Sequence, residues 1–354
     1  MINNNIDKSE NNYIINGRQL TGNVGGVQRY LREILLELDK IIQKDEVSVI
    51  VPKNAESIPA YENLKIIHYG RLNGLLWENV CLPWYLLTRR KLGINLCTVV
   101  PFLYPFGIVA IHDVMICRYK EMNRAMKFLP RVLLKLNYWV STHFSKAIIT
   151  VSQTSKNDIC KFYHVNPQKI SIIPNAWQHM NRISKDAKVF EKFSFLKECN
   201  FYLALSASRW QKNFKWVMEI ATRNPGFQFA IVGEGDRWQN TQFNSLSNVH
   251  RLGYLTDGEI KALYQSCKAF LFPSICEGFG IPPLEAMACG AKVVISNTSC
   301  LPEIFEKSAY YINPFDYDVD LISLLKNNVE IPEKILNKFS WKNSAAKLLD
   351  LMKN

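Results

Sequence analysis

The chain has 354 residues, 48% of them hydrophobic and 21% charged, which excludes a disordered polymer and leaves room for two domains with separate cores. Nine cysteines, odd in number and without Cys-x-x-Cys spacing, argue against a disulfide frame or a zinc module and imply a reducing compartment. The formal net charge of +12 points to anionic partners, but no zinc-finger, aromatic RNA-binding or basic-zipper pattern is present, so nucleic acid is not expected among them.

The first twelve residues are polar and asparagine-rich, lack the apolar core of a signal peptide and are expected to form a disordered tail. From residue 13 onward, β-branched or aromatic runs alternate with helical stretches. Strands are expected at 13–15, 47–51, 64–68, 96–100, 108–112, 147–151 and 170–173, then at 202–206, 228–232, 249–252, 269–272, 292–295 and 310–312. Residues 92–111 carry no charge and approach bilayer-spanning length, yet Gly93, Asn95, Pro101, Pro105 and Gly107 would break a helix repeatedly. That segment is therefore read as two buried strands joined by a tight loop. In residues 124–139, Arg124, Lys127, Arg131 and Lys135 would share one helix face if Pro130 only kinks the helix; with Arg89, Arg90 and Lys91 they suggest contact with an anionic membrane surface. Thr256 and Glu259 form a capping box ahead of a helix at 260–267.

Alternating strands and helices imply parallel sheets covered on both faces. The polar, turn-rich stretch 174–200 divides the series. The expected fold is α/β: two doubly wound domains, 13–178 and 179–338, facing across a cleft, with a closing amphipathic helix at 339–354.

Candidate site residues fall where such strands end. Gly25 and Gly26 follow the first strand and open a helix, which suits close approach to a phosphate. His112 ends a buried strand, where a neutral imidazole could exchange hydrogen bonds with a sugar hydroxyl. Arg209 and Lys212 follow the first strand of the second domain and could clamp a diphosphate. The run Gly233-Glu234-Gly235 lacks the third glycine of a dinucleotide fingerprint because Trp238 stands there, so a dehydrogenase is not expected. It is read as a turn near the nucleobase pocket, with Gly253, Tyr254 and Leu255 as further backbone contacts. Most informative is the segment from Ser274 to Glu285. A glycine-bearing loop (Gly278, Phe279, Gly280) feeds a helix with Pro282 and Pro283 in its first turn and Gly290 at its end. Glu277 lies in the loop and Glu285 in the expected first helical turn. Backbone N–H groups aimed at an anion, flanked by hydroxyl-accepting carboxylates, describe a nucleotide-sugar site.

That segment resembles the donor-sugar signature of the retaining glycosyltransferases of family 4, with two Glu separated by seven residues. The resemblance extends through the Gly25-Gly26 loop and its preceding Asn16-Gly17-Arg18, Trp77-Glu78-Asn79, Ser152 to Ser155, Pro174-Asn175 and Ser299 to Glu303. It implies the GT-B fold of two Rossmann-like domains, with Glu277 on donor-sugar hydroxyls, Glu285 on the ribose, backbone around Gly278, Phe279 and Gly280 on sugar and phosphate, and His112 near the sugar. Arg209 and Lys212 match the family's cation pair, although Trp210 and Gln211 intervene where the family often has adjacent residues. The nearest-looking branch builds bacterial surface polysaccharide, O-antigen or capsule, and includes mannosyltransferases. It implies transfer of a hexose, mannose from GDP-mannose as the first choice, to a lipid-linked glycan, without cofactor or metal, by a cytoplasmic protein peripheral on the inner face of the plasma membrane. A UDP-, dTDP- or GDP-fucose-type donor and a nucleotide-sugar epimerase of the same design remain alternatives.

Overall fold

The computed structural model describes residues 12–22, 25–97, 100–198, 201–205, 209–233 and 246–353. Most of the expected N-terminal tail, Asn23, Val24, Ser206 to Ser208, Glu234, Gly235 and Trp238 lie outside the described residues.

Among the described residues, thirteen strands form two sheets in which each paired strand runs parallel to its neighbour. The first holds β1 (Tyr13–Asn16), β2 (Ser48–Pro52), β3 (Lys65–Tyr69), β4 (Leu92–Asn95), β5 (Gly107–Ala110), β6 (Ala147–Thr150) and β7 (Ile170–Ile172), in the order β3-β2-β1-β4-β5-β6-β7. The second holds β8 (Phe201–Leu205), β9 (Gln228–Val232), β10 (Val249–Gly253), β11 (Ala269–Phe272), β12 (Val293–Ser296) and β13 (Tyr310–Ile312), in the order β10-β9-β8-β11-β12-β13. Strand order reverses between β1 and β4 and again between β8 and β11, so each sheet has one topological switch point where its carboxyl-end loops splay apart. The helices that frame the site are α1 (Gly26–Asp39), α2 (Leu82–Arg89), α3 (Phe128–Phe144), α4 (Gln153–Tyr163), α5 (Asp257–Tyr264), α6 (Ile281–Ala288), α7 (Leu301–Phe305) and α8 (Trp341–Lys353).

Alternate residues of the first sheet feed opposite faces, as the period of two requires. Ile15, Val49, Val51, Ile94 and Ile108 share one apolar cluster with Leu31, Ile34 and Leu35 of α1. Ile14 and Ile50 pack under Trp77, Leu82 and Leu86, while Val109, Ile111 and Ile148 pack under Tyr138 and Ile159. The closing helix α8 returns to the first domain: Trp341 meets Tyr30 edge-on at 6.0 Å, and its apolar face joins the cluster of α1. No helix among the described residues is long and apolar enough to cross a membrane.

Two local expectations are corrected. The fourth strand is 92–95, not 96–100. Gly93 and Asn95 look like breakers, but Gly93 leaves room for Gly107, whose added Cβ would lie 2.0 Å from the Gly93 carbonyl oxygen, and the buried Asn95 amide oxygen accepts from Asn16 Nδ2 at 3.0 Å. Beyond it, Val100 is held by a side chain instead of a strand: Asn137 accepts from its N–H and donates to its carbonyl; Thr98 and Val99 are not described. In the basic segment, Pro130 does not kink a helix. A helix at Lys120–Ala125 ends, Met126 and Lys127 are extended, and α3 starts at Phe128 with Pro130 in its first turn, where its missing N–H costs nothing. Arg124 and Lys127 therefore lie off the α3 face.

Candidate active site

The two switch points face each other. Gly25 is the N-cap of α1, and a Cβ on Gly26 would sit 3.7 Å from Ile281 Cδ1 at the start of α6, so the two helix starts meet across the crevice. Gly280, N-cap of α6, has φ +97°, and a Cβ there would strike Leu301 at 2.8 Å. Pro282 and Pro283 do occupy the first turn, but the helix begins at Ile281, which puts Glu285 one turn further in than expected. Between the helix starts lies a cavity of about 180 Å³ lined by Gly25, Gly26, Arg29, Leu205, Asp257 and Glu285 among others. The unpaired N–H groups at the start of α1, with the positive dipole ends of both helices, give it an anion-attracting potential; Pro282 and Pro283 leave α6 few N–H groups of its own to offer.

Around Glu277 the remaining expected residues converge. Lys212 Nζ donates to Glu277 Oε1 at 2.7 Å and lies 4.8 Å from the centroid of Phe272. Ser299 braces the loop, accepting from Glu277 N–H and donating to its carbonyl. The guanidinium of exposed Arg209 makes no hydrogen bond or ion pair among the described residues, and its charge reaches Asp113. His112 is buried; its Nε2 lies 2.9 Å from the Leu96 carbonyl, which can only accept, so Nε2 carries the proton and Nδ1 a lone pair. Burial lowers its pKa and keeps it neutral. Gly278 abuts this strand end closely: a Cβ would lie 2.8 Å from the His112 carbonyl oxygen, and the Gly278 carbonyl accepts from Ser152 Oγ at 2.8 Å. Phe279 turns its ring away into the core, edge-on to Phe339 at 5.1 Å, leaving only its backbone for the site.

Residues that the sequence reading passed over complete the arrangement. Asp113, beside His112, is pushed up to about 6 by burial and by the charge of Glu277, against the hydrogen bond from Met115 N–H and the pull of Arg209. Glu285 is gripped from two sides. Arg29 Nε stands 3.6 Å from it while Arg29 Nη2 binds Asp257 at 2.7 Å; burial opposes the Arg29 charge and the two carboxylates outweigh it. On the other side His179 Nε2 is 2.7 Å from Glu285 Oε1, and the Trp341 indole N–H donates to His179 Nδ1 at 3.1 Å. Because indole only donates, the imidazole is fixed with its proton on Nε2, aimed at the carboxylate. Beneath the α1 loop, Asn16 Nδ2 binds Glu78 Oε1 at 2.7 Å and Arg18 binds Glu78 Oε2 at 2.9 Å, joining two motifs sixty residues apart in a buried network. Arg29 and His179 sit on helices without a local motif; only the three-dimensional meeting of α1, α6 and α8 reveals them.

The description "Glycosyltransferase Family 4" matches residues 24–177, and "Glycosyl transferases group 1" matches residues 186–336, one for each sheet. The chain is a family 4-type glycosyltransferase of the GT-B fold. It is 30% identical over 234 residues to the O-antigen chain mannosyltransferase RfbU of Salmonella typhimurium, covering 64% of this chain and 62% of that protein. It is 22% identical to the O-antigen chain mannosyltransferase B of Escherichia coli, covering 93% and 96%. Among solved structures, the sucrose-phosphate synthase of Thermosynechococcus elongatus superposes with a TM-score of 0.72 at 17% identity, over 96% of this chain and 98% of that one. The chain thus spans just under two thirds of RfbU's length.

The glycosyltransferase also carries an unusual outer face on its first domain. Of the twenty exposed large apolar side chains among the described residues, sixteen lie between Leu72 and Phe144. They occupy the stretch from Leu72 to Arg89, the loop 101–106 and α3, three neighbours on one side of the first sheet. Asn79 holds the loop at Phe102 N–H and Ser145 holds it at the Pro105 carbonyl. Leu75, Leu103 and Phe128 are each about two-thirds exposed. From Arg71 to Lys146 there are eleven Lys or Arg against three Asp or Glu, and two of those acids, Glu78 and Asp113, are turned inward.

Proposed function

We propose that this glycosyltransferase moves a hexose, mannose from GDP-mannose in the first instance, onto a lipid-linked glycan in bacterial surface polysaccharide synthesis, with the anomeric configuration retained. One observation carries the donor reading: the helix starts after Gly25 and Gly280 meet in a single crevice lined by Arg29, Asp257 and Glu285, and Glu277, on the loop that leads into the second helix start, pairs with Lys212. The bond that breaks joins the anomeric carbon to a phosphate oxygen, so negative charge grows on the departing diphosphate. Cations and helix starts fixed there favour the transition state over the ground state. Glu277 holds sugar hydroxyls, Glu285 holds the ribose, and backbone around Gly278, Phe279 and Gly280 contacts sugar and phosphate. His112 accepts a sugar hydroxyl at Nδ1. The acceptor hydroxyl attacks from the face the diphosphate leaves and gives its proton to the leaving phosphate oxygen. The positive charge needed comes from the chain, so the reaction is expected to proceed in a chelator and without a cofactor.

The acceptor belongs to a membrane. Exposed apolar side chains flanked by cations, with acids withdrawn, suit an interfacial surface on an anionic bilayer, which would hold the protein at the inner face of the plasma membrane. O-antigen mannosyltransferase relatives support the polysaccharide assignment. The test is a transfer assay pairing each nucleotide sugar with lipid-linked glycans. Donor consumption should yield a lipid-borne product with the donor's anomeric configuration, and Glu277→Ala should lower turnover at least a hundredfold while the protein stays folded. Near-normal transfer by that variant would remove Glu277 from the reaction.

A further inference from the structure

The first domain has a second cavity that the donor site does not use. It measures about 470 Å³ and lies at the carboxyl ends of β2 and β3, lined by Lys53, His68, Tyr69, Arg71, Val80 and Trp84 among others. Its walls are built, not incidental. Gly70 has φ +73°, and a Cβ there would lie 2.6 Å from Cys81 Sγ, so only glycine lets the strand end meet the helix this closely. The Trp77 indole N–H pins the same strand end by donating to the Tyr69 carbonyl at 2.7 Å, and Lys53 N–H binds the Gly70 carbonyl at 3.2 Å. The helical wall at Trp77–Cys81 is wound as a π-helix, a form concentrated at functional sites.

The side chains of Lys53, His68 and Arg71 make no hydrogen bond or ion pair among the described residues, and all three are exposed around the cavity. On the opposite rim Val80 and Trp84 are exposed apolar groups, continuous with Leu76 and Leu87 on the membrane-suited face. Cations on one side and a greasy rim on the other select an amphiphile: a phosphate ester whose chain leaves along the apolar helix. We infer that this cavity binds the phosphate headgroup of a lipid, and that in the working enzyme the headgroup is the diphosphate of the lipid-linked acceptor. The inference rests on the transferase reading and adds the place where the acceptor's lipid end is held. β3 stands three strand positions from β4, about 14 Å at ordinary strand spacing. That separation lets a short glycan run from the held diphosphate to the reacting hydroxyl at the switch point.

The experiment compares binding of the full chain to three vesicle sets: phosphatidylcholine alone, the same with a polyprenyl phosphate, and the same with phosphatidylglycerol at equal surface charge. Inorganic pyrophosphate is the soluble competitor. Polyprenyl phosphate should increase binding about tenfold over equal-charge phosphatidylglycerol, and pyrophosphate should erase the excess. Lys53→Ala/Arg71→Ala should lose that excess while retaining phosphatidylglycerol binding through the other cations. Equal binding to the two anionic vesicles, an excess that survives in the double variant, or an excess that resists pyrophosphate would each overturn the inference. Nucleoside-diphosphate binding measured on the same samples separates the outcomes: if it persists while the lipid arm fails, the donor site stands and only this pocket's role falls.

Discussion

At the scale of single residues, the site sets charge against burial. Asp113 is the clearest instance, because its ordinary value of 3.8 rises to about 6 in the folded chain. A carboxyl whose folded pKa is raised favours the folded state below its unfolded pKa, and that contribution is lost as pH climbs through about 6. Asp113→Asn keeps an acceptor for the Met115 N–H and removes the charge facing Glu277. It should therefore raise stability at pH 7.5, by up to about 3 kcal/mol, and leave it unchanged near pH 3.5. Denaturant unfolding at both values checks this, and a variant less stable than the parent at pH 7.5 would contradict it. Glu285 depends on geometry more than on charge. Trp341→Phe keeps an aromatic side chain but loses the five-membered ring of the indole, and with it the N–H that fixes the His179 tautomer. Stability should fall by about 2–4 kcal/mol, from the lost hydrogen bond and from the gap left where the buried indole stood, and donor KM should rise severalfold with kcat nearly constant. A nitrogen-15 spectrum of the imidazole should show the proton confined to Nε2 in the parent and shared between both nitrogens in the variant.

At the scale of elements, α3 presents Leu129, Val132, Leu133 and Leu136 to solvent at helical spacing, while Asn137, Tyr138 and Ser141 face inward. Leu129→Asp/Leu136→Asp should weaken flotation with anionic vesicles at least tenfold and leave the unfolding midpoint nearly unchanged, since neither side chain is in the core. Undiminished flotation would remove this face from membrane contact. The sequence already exposed most of these elements, because parallel strands buried on both faces read as β-branched runs and because the capping box at Thr256 and Glu259 is a local signal that the structure contains. It failed where a local rule was overruled from afar. Gly93 and Asn95 form a strand only because Gly107 and Asn16 lie opposite them, and Pro130 falls in the first turn of a new helix because the chain is extended at Met126 and Lys127. The apolar outer face was hidden for the same reason: periodicity alone does not tell which apolar stripe of α3 meets the sheet.

At the scale of the whole molecule, the two sheets are held together by polar contacts that ring the crevice. Glu303 on α7 accepts from the N–H groups of Gln153 and Thr154 at the start of α4, at 2.6 and 2.8 Å. Arg29 binds Asp257 across the gap, Arg182 pairs with Glu33, and Ser152 holds the Gly278 carbonyl. Apolar packing ties α8 to α1 beside His179. The polar contacts act as latches across the crevice, each able to exchange its partner for water. Glu277, Arg209 and Lys212 are legible in the sequence because they stand at strand ends and resemble the family's residues; the latches are not, because each joins residues more than a hundred positions apart, such as Arg29 with Asp257. The most direct test is calorimetric titration of the chain with GDP, UDP and dTDP, repeated on Arg209→Ala and Glu285→Ala. One nucleoside diphosphate should bind at a single site and each variant should weaken it at least tenfold, whereas no binding by any of the three, or binding indifferent to both substitutions, would contradict a nucleotide-sugar crevice between the sheets.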